Sequence, residues 1–522
     1  MLILLPAGLL VATVIFMAIM VRRDVGRGMI WSAAAVGSFA AIIISFFLVK
    51  ELPLEVVIRS NTPSIFNRLP MTLSLDGSSW AYQTALLAIL CGVLLTAARR
   101  QATSSPTAWL ASIGIAILGL VAVQAGTIST LLSAWFLIDT LELVFLMVAM
   151  KPHHDLGKLA TSFALRYASI LVALIAVNTN NLQAEVKPGL FIFLAAMLRM
   201  GSLPFWSYWG DFSLMTGLGT MMQAVRAFSA LIPLASLEAG VIPPRWTGLF
   251  TLYCLLLVLY CAIRWLRLDS ARDGRVYWIT ACSLFAFTCV IHDQAVDSVP
   301  WVVTALLTGS ILFLFTDRTR LYLGLSLAGL VALTGLPYTP VASGWSGLLG
   351  APVDWRSTPF ILANALLLAG SLRLAIITPE PERRIEGLAR FAYPAGLIIL
   401  LLMPWLIMLY SANETPLQDW WAGFLTFALL LVLIIVFRDQ LFEGAAFKWP
   451  VSRFWKTFVK LSDGSLAAIQ QDWLITLFNR FAGWLGRIIV SITNILEGDG
   501  GVLWVLLLLV LFAALISNPG GI

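Results

Sequence analysis

The chain has 522 residues, 60% of them hydrophobic and only 11% charged, with a mean hydropathy of +0.92, which excludes an ordinary soluble domain and reads as a polytopic membrane protein. Its formal net charge of +6 collects in segments that flank apolar runs, and no basic cluster interleaved with aromatic residues occurs elsewhere, which argues against nucleic acid as a partner.

The five cysteines, Cys91, Cys254, Cys261, Cys282 and Cys289, all fall in apolar runs. The spacing of Cys254 to Cys261 and of Cys282 to Cys289 puts each pair about 10 Å apart along a helix, too far for a disulfide. No CxxC pair, Walker loop, GxGxxG turn or histidine-rich metal spacing is present. The chain is therefore expected to hold no cofactor, and any redox centre it serves lies in other chains.

Apolar runs long enough to cross about 30 Å of hydrocarbon begin near residues 2, 29, 78, 107, 127, 159, 189, 213, 247, 276, 298, 320, 358, 389, 418 and 501, sixteen in all. The first, MLILLPAGLLVATVIFMAIMVRR, has neither a charged leader nor a small-residue cleavage site and is read as a spanning helix, not a signal peptide. Lys and Arg gather in cytoplasmic loops. Sixteen of them follow odd-numbered runs, from Arg22 to Arg390, against six after even-numbered runs: Lys50, Arg59, Arg68, Lys187, Arg245 and Arg356. That bias predicts both termini on the outer face. The outer loop from Lys50 to Asp76 is the longest on its side and carries no catalytic constellation.

In the fifth run, SAWFLIDTLELVF, Asp139 and Glu142 lie three apart and so share a helix face. Glu142 is either part of a polar centre or near the interface; Asp139 is too deep for the second account. The seventh run, FIFLAAMLRMGSLPFWSYWGD, places Arg199 in an apolar helix and then stops that helix with Gly201 and Pro204. A charge in a bilayer is costly unless it faces protein or water, and broken helices are tolerated where they line a cavity. The alternative is a snorkelling arginine near a helix end. Arg166, Arg226 and Arg373 are further cations inside apolar runs, and with Arg199 they make four against two obvious carboxylates, although for Arg373 the expected account is an interfacial position near the cytoplasmic end. A second interruption is expected around Gly335 and Pro337.

Between Arg438 and Gly500, basic residues alternate with Trp455, Trp473, Phe478, Phe481 and Trp484, and the later apolar positions recur at three and four. This is the pattern of an amphipathic helix lying in the interface plane. It would be either a strap reaching a neighbouring subunit or a helix touching only lipid. The expected organisation is a bundle over residues 1–437, a lateral amphipathic segment over 438–500 and a final spanning helix over 501–522.

Several stretches together resemble the antiporter-like proton-channel subunits of respiratory complex I and their relatives in multisubunit cation/proton antiporters and membrane-bound hydrogenases. LSLDGSS (73–79) is similar to the signature opening the family's third helix. The run with Arg199, Pro204, Phe205, Trp209 and Asp211 is similar to its K-A-x-x-x-P-F-x-x-W-x-x-D. RVYWITACSLFAF (275–287) and LSLAGLVALTGLPYTPVASGW (325–345) resemble two further family motifs in the same order. The plan of fifteen helices, a lateral segment and a last helix resembles the largest, distal subunit.

What the resemblance implies is an all-α fold of about sixteen transmembrane helices, built around two five-helix units with two discontinuous helices, and a C-terminal lateral helix. It also implies a membrane-arm subunit of a redox-driven, ion-translocating assembly of the NADH:quinone oxidoreductase type. Partners would be other membrane-arm subunits and the lipid bilayer. The site would be a prokaryotic cytoplasmic membrane or an organellar inner membrane.

The chain departs from the family in its polar centre. Phe136 follows Trp135 where the family has a glutamate, with Asp139 and Glu142 as shifted substitutes. Arg199 stands at the central lysine, and Arg226 is nearest to the next one. Thr304 and Thr308 fall where the resemblance places a histidine and a lysine, and no lysine occurs between Lys187 and Lys448. A relay group must change protonation, and arginine stays charged under essentially all conditions. The expected centre has Asp139 and Glu142 as counter-ions and Arg199 and Arg226 as fixed charges, with Arg166 a further candidate. The cation excess would be met by pairs that clamp helices or by acids from a partner subunit, with Thr304 and Thr308 ordering water. The leading function is thus a degenerate antiporter-like subunit. The alternatives are the membrane subunit of a secondary cation or inorganic-carbon transport system, and a purely structural scaffold.

Overall fold

A computed structural model describes residues 2–58, 71–100, 105–149, 156–179, 187–203, 205, 216–271, 273–314, 320–350, 355–377, 389–411 and 420–436. The chain divides into two compact units, Met1–Pro450 and Val451–Ile522, and all described residues lie in the first. The lateral segment and the last spanning helix expected from the sequence lie outside the described residues.

The helices are α1 (Leu5–Arg22), α2 (Arg27–Leu48), α3 (Gly77–Thr96), α4 (Pro106–Val123), α5 (Ile128–Ala149), α6 (Leu156–Thr179), α7 (Pro188–Arg199) and α8 (Thr216–Ala235). They continue with α9 (Pro244–Arg267), α10 (Arg275–Ile291), α11 (Ser298–Leu314), α12 (Arg320–Val331), α13 (Gly344–Leu349), α14 (Pro359–Ile377), α15 (Ala389–Ser411) and α16 (Trp420–Val436). Among the described residues ten helices are long and apolar enough to span a membrane, and four shorter apolar ones accompany them. The first fifteen apolar runs each coincide with one helix, which bears out the all-α polytopic class. The short α13 was not among them: at 6 residues it is far below spanning length.

The loop before α3 holds a feature that no hydropathy pattern announces. Strands β1 (Leu54–Ile58) and β2 (Met71–Leu75) pair antiparallel, Leu54 opposite Leu75. This hairpin docks on the turn between α4 and α5, where the Ser74 amide donates to the Gln124 carbonyl at 2.7 Å and the Gly126 amide to Thr72 at 2.9 Å. β2 runs straight into the cap of α3. Asp76 Oδ1 accepts the Ser79 amide at 2.7 Å while Ser79 Oγ accepts the Asp76 amide at 2.7 Å, a reciprocal capping box. The LDGSS stretch is therefore a helix-start device.

α3, α10 and α11 are buried along almost their whole length, as expected of helices that are apolar all round. α3 packs against α2, α4, α8, α11 and α15, and α10 against α9 and α11. Around this core α1 and α2 keep a broad exposed apolar face, including Val36 and Phe47.

The expected second interruption is present. α12 ends at Val331, irregular backbone follows, and the chain re-enters a helix only at Gly344. Gly335 sits at φ +74°, a conformation open to glycine at little cost. The Trp345 indole lies so close that a β-carbon on Gly335 would stand 1.8 Å from Nε1. Helix α16 crosses the same spot: a β-carbon on Gly423 would stand 1.9 Å from the Gly335 carbonyl oxygen. The backbone there cannot yield as a side chain can. Gly423→Ala is expected to destabilise the chain by about 1–3 kcal/mol through overpacking, read as a lowered thermal unfolding midpoint of the purified protein. An unchanged midpoint would show that α16 is free to move off the break.

Candidate functional site

Five charged side chains from four successive helices meet inside the first unit. α5 supplies Asp139 and Glu142, whose spacing of three sets them on one face. α6 supplies Arg166, α7 Arg199 and α8 Arg226. All five are buried, with Asp139 and Arg199 at 0% exposure and Arg226 the highest at 3%.

Arg199 owes its position to the way α7 ends. Gly201 adopts φ +65°, its amide donates to the Leu198 carbonyl at 3.0 Å and the Ser202 amide to Met197 at 2.9 Å. This is the double hydrogen bond of a Schellman stop. The helix therefore terminates directly after the arginine, and the Tyr253 hydroxyl on α9 donates to the Ser202 carbonyl just beyond it. Buried Arg199 at this stop rules out snorkelling to the surface. Pro204, Trp209 and Asp211, also part of the motif, lie outside the described residues.

The ion pairs have two-pronged geometry. Arg199 Nη1 and Nη2 donate to Asp139 Oδ2 and Oδ1 at 2.8 and 3.0 Å. Arg166 Nη1 and Nη2 donate to Glu142 Oε2 and Oε1 at 2.7 and 2.9 Å. A longer contact of 3.6 Å from Arg166 Nη1 to Asp139 joins the two pairs. Both oxygens of each carboxylate are thus occupied by guanidinium N–H groups. Taking an ion out of water costs several kcal/mol, and only such geometry offsets it.

Aromatic rings complete the cage. The Arg199 guanidinium stacks over Trp135 at 4.6 Å and the Arg166 guanidinium over Phe163 at 4.5 Å. Trp135 is itself pinned, since its Nε1 donates to the Ser229 carbonyl on α8 at 3.0 Å. Arg226 Nε points at the Arg199 carbonyl at 3.4 Å, closing the group from the α8 side. Phe136 is 52% exposed and faces away from this centre. A carboxylate at that position would point outwards, whereas the one carried a turn later at Asp139 points in.

The remaining candidates are placed elsewhere. Thr304 lines a cavity of about 220 Å³ together with Asp76, Ser78, Pro340, Ser343 and Pro404. Thr308 Oγ1 lies 3.4 Å from the Gly329 carbonyl of α12. Gly335 and Pro337 belong to the second interruption. Arg373 does not swell the central charge: it donates to the Leu266 and Leu268 carbonyls at 3.1 and 2.5 Å and to Asp269 at 2.9 Å, closing the end of α9. Asp269 is 85% exposed, which puts that pair at a surface and apart from the central cluster.

Chemically, this centre is built to hold charge in place. Arginine does not give up its proton under ordinary conditions, and each acid is held at both oxygens. Among the described residues no group of three or more His, Cys, Asp and Glu side chains is arranged to hold a metal ion.

The sequence matches no protein-family model and no curated protein. Solved structures do match in fold. A chain of the Mrp complex from Dietzia sp. DQ12-45-1b superposes with a TM-score of 0.64 at 15% identity, covering 100% of this chain and 63% of that one. A chain of the membrane-bound sulfane sulfur reductase, an archaeal respiratory membrane complex, gives 0.63 at 10% identity, covering 97% and 99%. A chain of respiratory complex I from Thermus thermophilus gives 0.61 at 15% identity, covering 83% and 100%. The chain thus spans less than two thirds of the Mrp chain it matches, and nearly all of the other two. It has the fold of membrane chains from these multisubunit complexes, in agreement with the resemblance drawn from its motifs.

Proposed function

We propose that the chain is an antiporter-like membrane-arm subunit of a complex I-type assembly, in which the central cluster acts as a fixed electrostatic clamp in place of a titratable relay. Electron transfer in other subunits would drive translocation through sister subunits, with this one transmitting or bracing the change. The observation that carries the reading is the pair of two-pronged bridges, Arg199 to Asp139 and Arg166 to Glu142, at side chains with at most 1% exposure. Residues 438–500 would strap neighbouring subunits and 501–522 would form the last span, in a prokaryotic cytoplasmic membrane or an organellar inner membrane.

The test is ion flux. Purified chain in liposomes is expected to carry no protons under an imposed gradient without a redox donor, and Arg199→Lys is expected to leave flux at background. A single lysine restores one titratable group, while Thr304 and Thr308 still stand where others are needed. Flux from the wild-type chain alone would favour a secondary transporter, and flux switched on by Arg199→Lys would overturn the clamp. Identifying the companions that copurify from native membranes separates a complex I-type assembly from a lone scaffold.

A further inference from the structure

The end of the bundle at which α9 begins is poor in cations, yet three of the six Lys and Arg residues that follow even-numbered runs converge there. Lys187 precedes α7 and its Nζ donates to the Ala239 carbonyl in the loop leading to α9, at 2.8 Å. Arg245 stands in the first turn of α9. Arg356 reaches the same helix, its Nη1 lying 3.4 Å from where a β-carbon on Gly248 would be, one turn after Arg245. Asp293, in this corner, is turned into the loop, where its Oδ1 accepts the Gly240 amide at 2.6 Å.

Directly below the cations comes an apolar stripe. Trp246 is 45% exposed, with Arg245 packed on its ring at 6.0 Å, and Leu249, Leu252 and Leu256 on the following turns are each more than half exposed. At 1.5 Å per residue the leucines lie about 6–16 Å deeper than Arg245, the depth of acyl chains below a headgroup. Trp is the side chain that favours the membrane interface. The first turn of α9 opens on Pro243 with no side-chain cap, which leaves the positive end of its dipole facing the same place.

We infer that this corner is a binding site for one anionic phospholipid, the phosphate held between Arg245 and Arg356 and the acyl chains laid along Leu249 and Leu256. The charge sets the class of ligand, because a zwitterionic headgroup brings its own cation against the arginines. The inference rests on the membrane placement of α9 alone, so it stands or falls apart from the proposed assembly.

The test is native mass spectrometry of the full chain purified in mild detergent and titrated with phosphatidylglycerol or phosphatidylcholine. The wild type is expected to retain phosphatidylglycerol with a preference of about thirtyfold, the scale set by two basic groups beside an anionic headgroup. Arg245→Ala with Arg356→Ala is expected to lose that preference, and Arg245→Lys with Arg356→Lys to keep most of it, which separates charge from fold. Equal retention of the two lipids by the wild type, or an undiminished preference in the alanine pair, would overturn the site. Loss of a copurifying acidic protein with lipid retention unchanged would do the same and assign the patch to a protein neighbour.

Discussion

Replacing Asp139 by leucine is expected to lower the unfolding free energy of the chain by about 3–5 kcal/mol, because it strands an arginine of 0% exposure without its partner. The reverse change, Arg199→Met, is expected to cost less. Asp139 then still has Arg166 at 3.6 Å to turn towards, whereas Arg199 keeps only the Trp135 face once its carboxylate is gone. The double variant Asp139→Leu with Arg199→Met should recover most of the loss, since removing both charges also removes the cost of burying them. The measurement is a double-mutant cycle on unfolding in mixed detergent micelles, followed by circular dichroism. Single variants within about 1 kcal/mol of the wild type, or strictly additive losses, would mean that the bridge is incidental.

Gly335→Ala is expected to be of similar size for unrelated reasons. A β-carbon at φ +74° costs about 1–2 kcal/mol in backbone strain. Overpacking against the indole, 1.8 Å away, adds about 1–3 kcal/mol more. Only the second part answers to the neighbour. Trp345 packs edge-on to Trp301 at 5.1 Å, so Trp345→Phe carries a loss of its own, yet it removes the atom that collides. The pair Gly335→Ala with Trp345→Phe should therefore unfold less readily than the sum of the two single losses predicts. Additive midpoints would show that the strain is all in the backbone.

Most of the bundle was legible because hydropathy and loop charge are local signals, and α1 to α12 begin within a few residues of the runs that announced them. The polar centre was partly legible. A spacing of three put Asp139 and Glu142 on one face, and charges inside apolar runs marked Arg166 and Arg199. Which acid meets which arginine is a contact across helices, and no periodicity encodes it. Trp135 was visible only as a motif residue; its stacking under Arg199 depends on where α8 places the Ser229 carbonyl. The threonines were grouped with the charges by motif position, and the fold instead sets Thr304 beside the start of α3. The hairpin over β1 and β2 is short, and its partner surface is a turn about fifty residues further on.

The contact between α16 and the Gly335 carbonyl brings two backbones together with no side chain between them. Ordinary helix contacts absorb small displacements by rotamer changes, as a cushion does. Here that compliance is missing, so a tilt of α16 towards the interruption between α12 and α13 must move main-chain atoms.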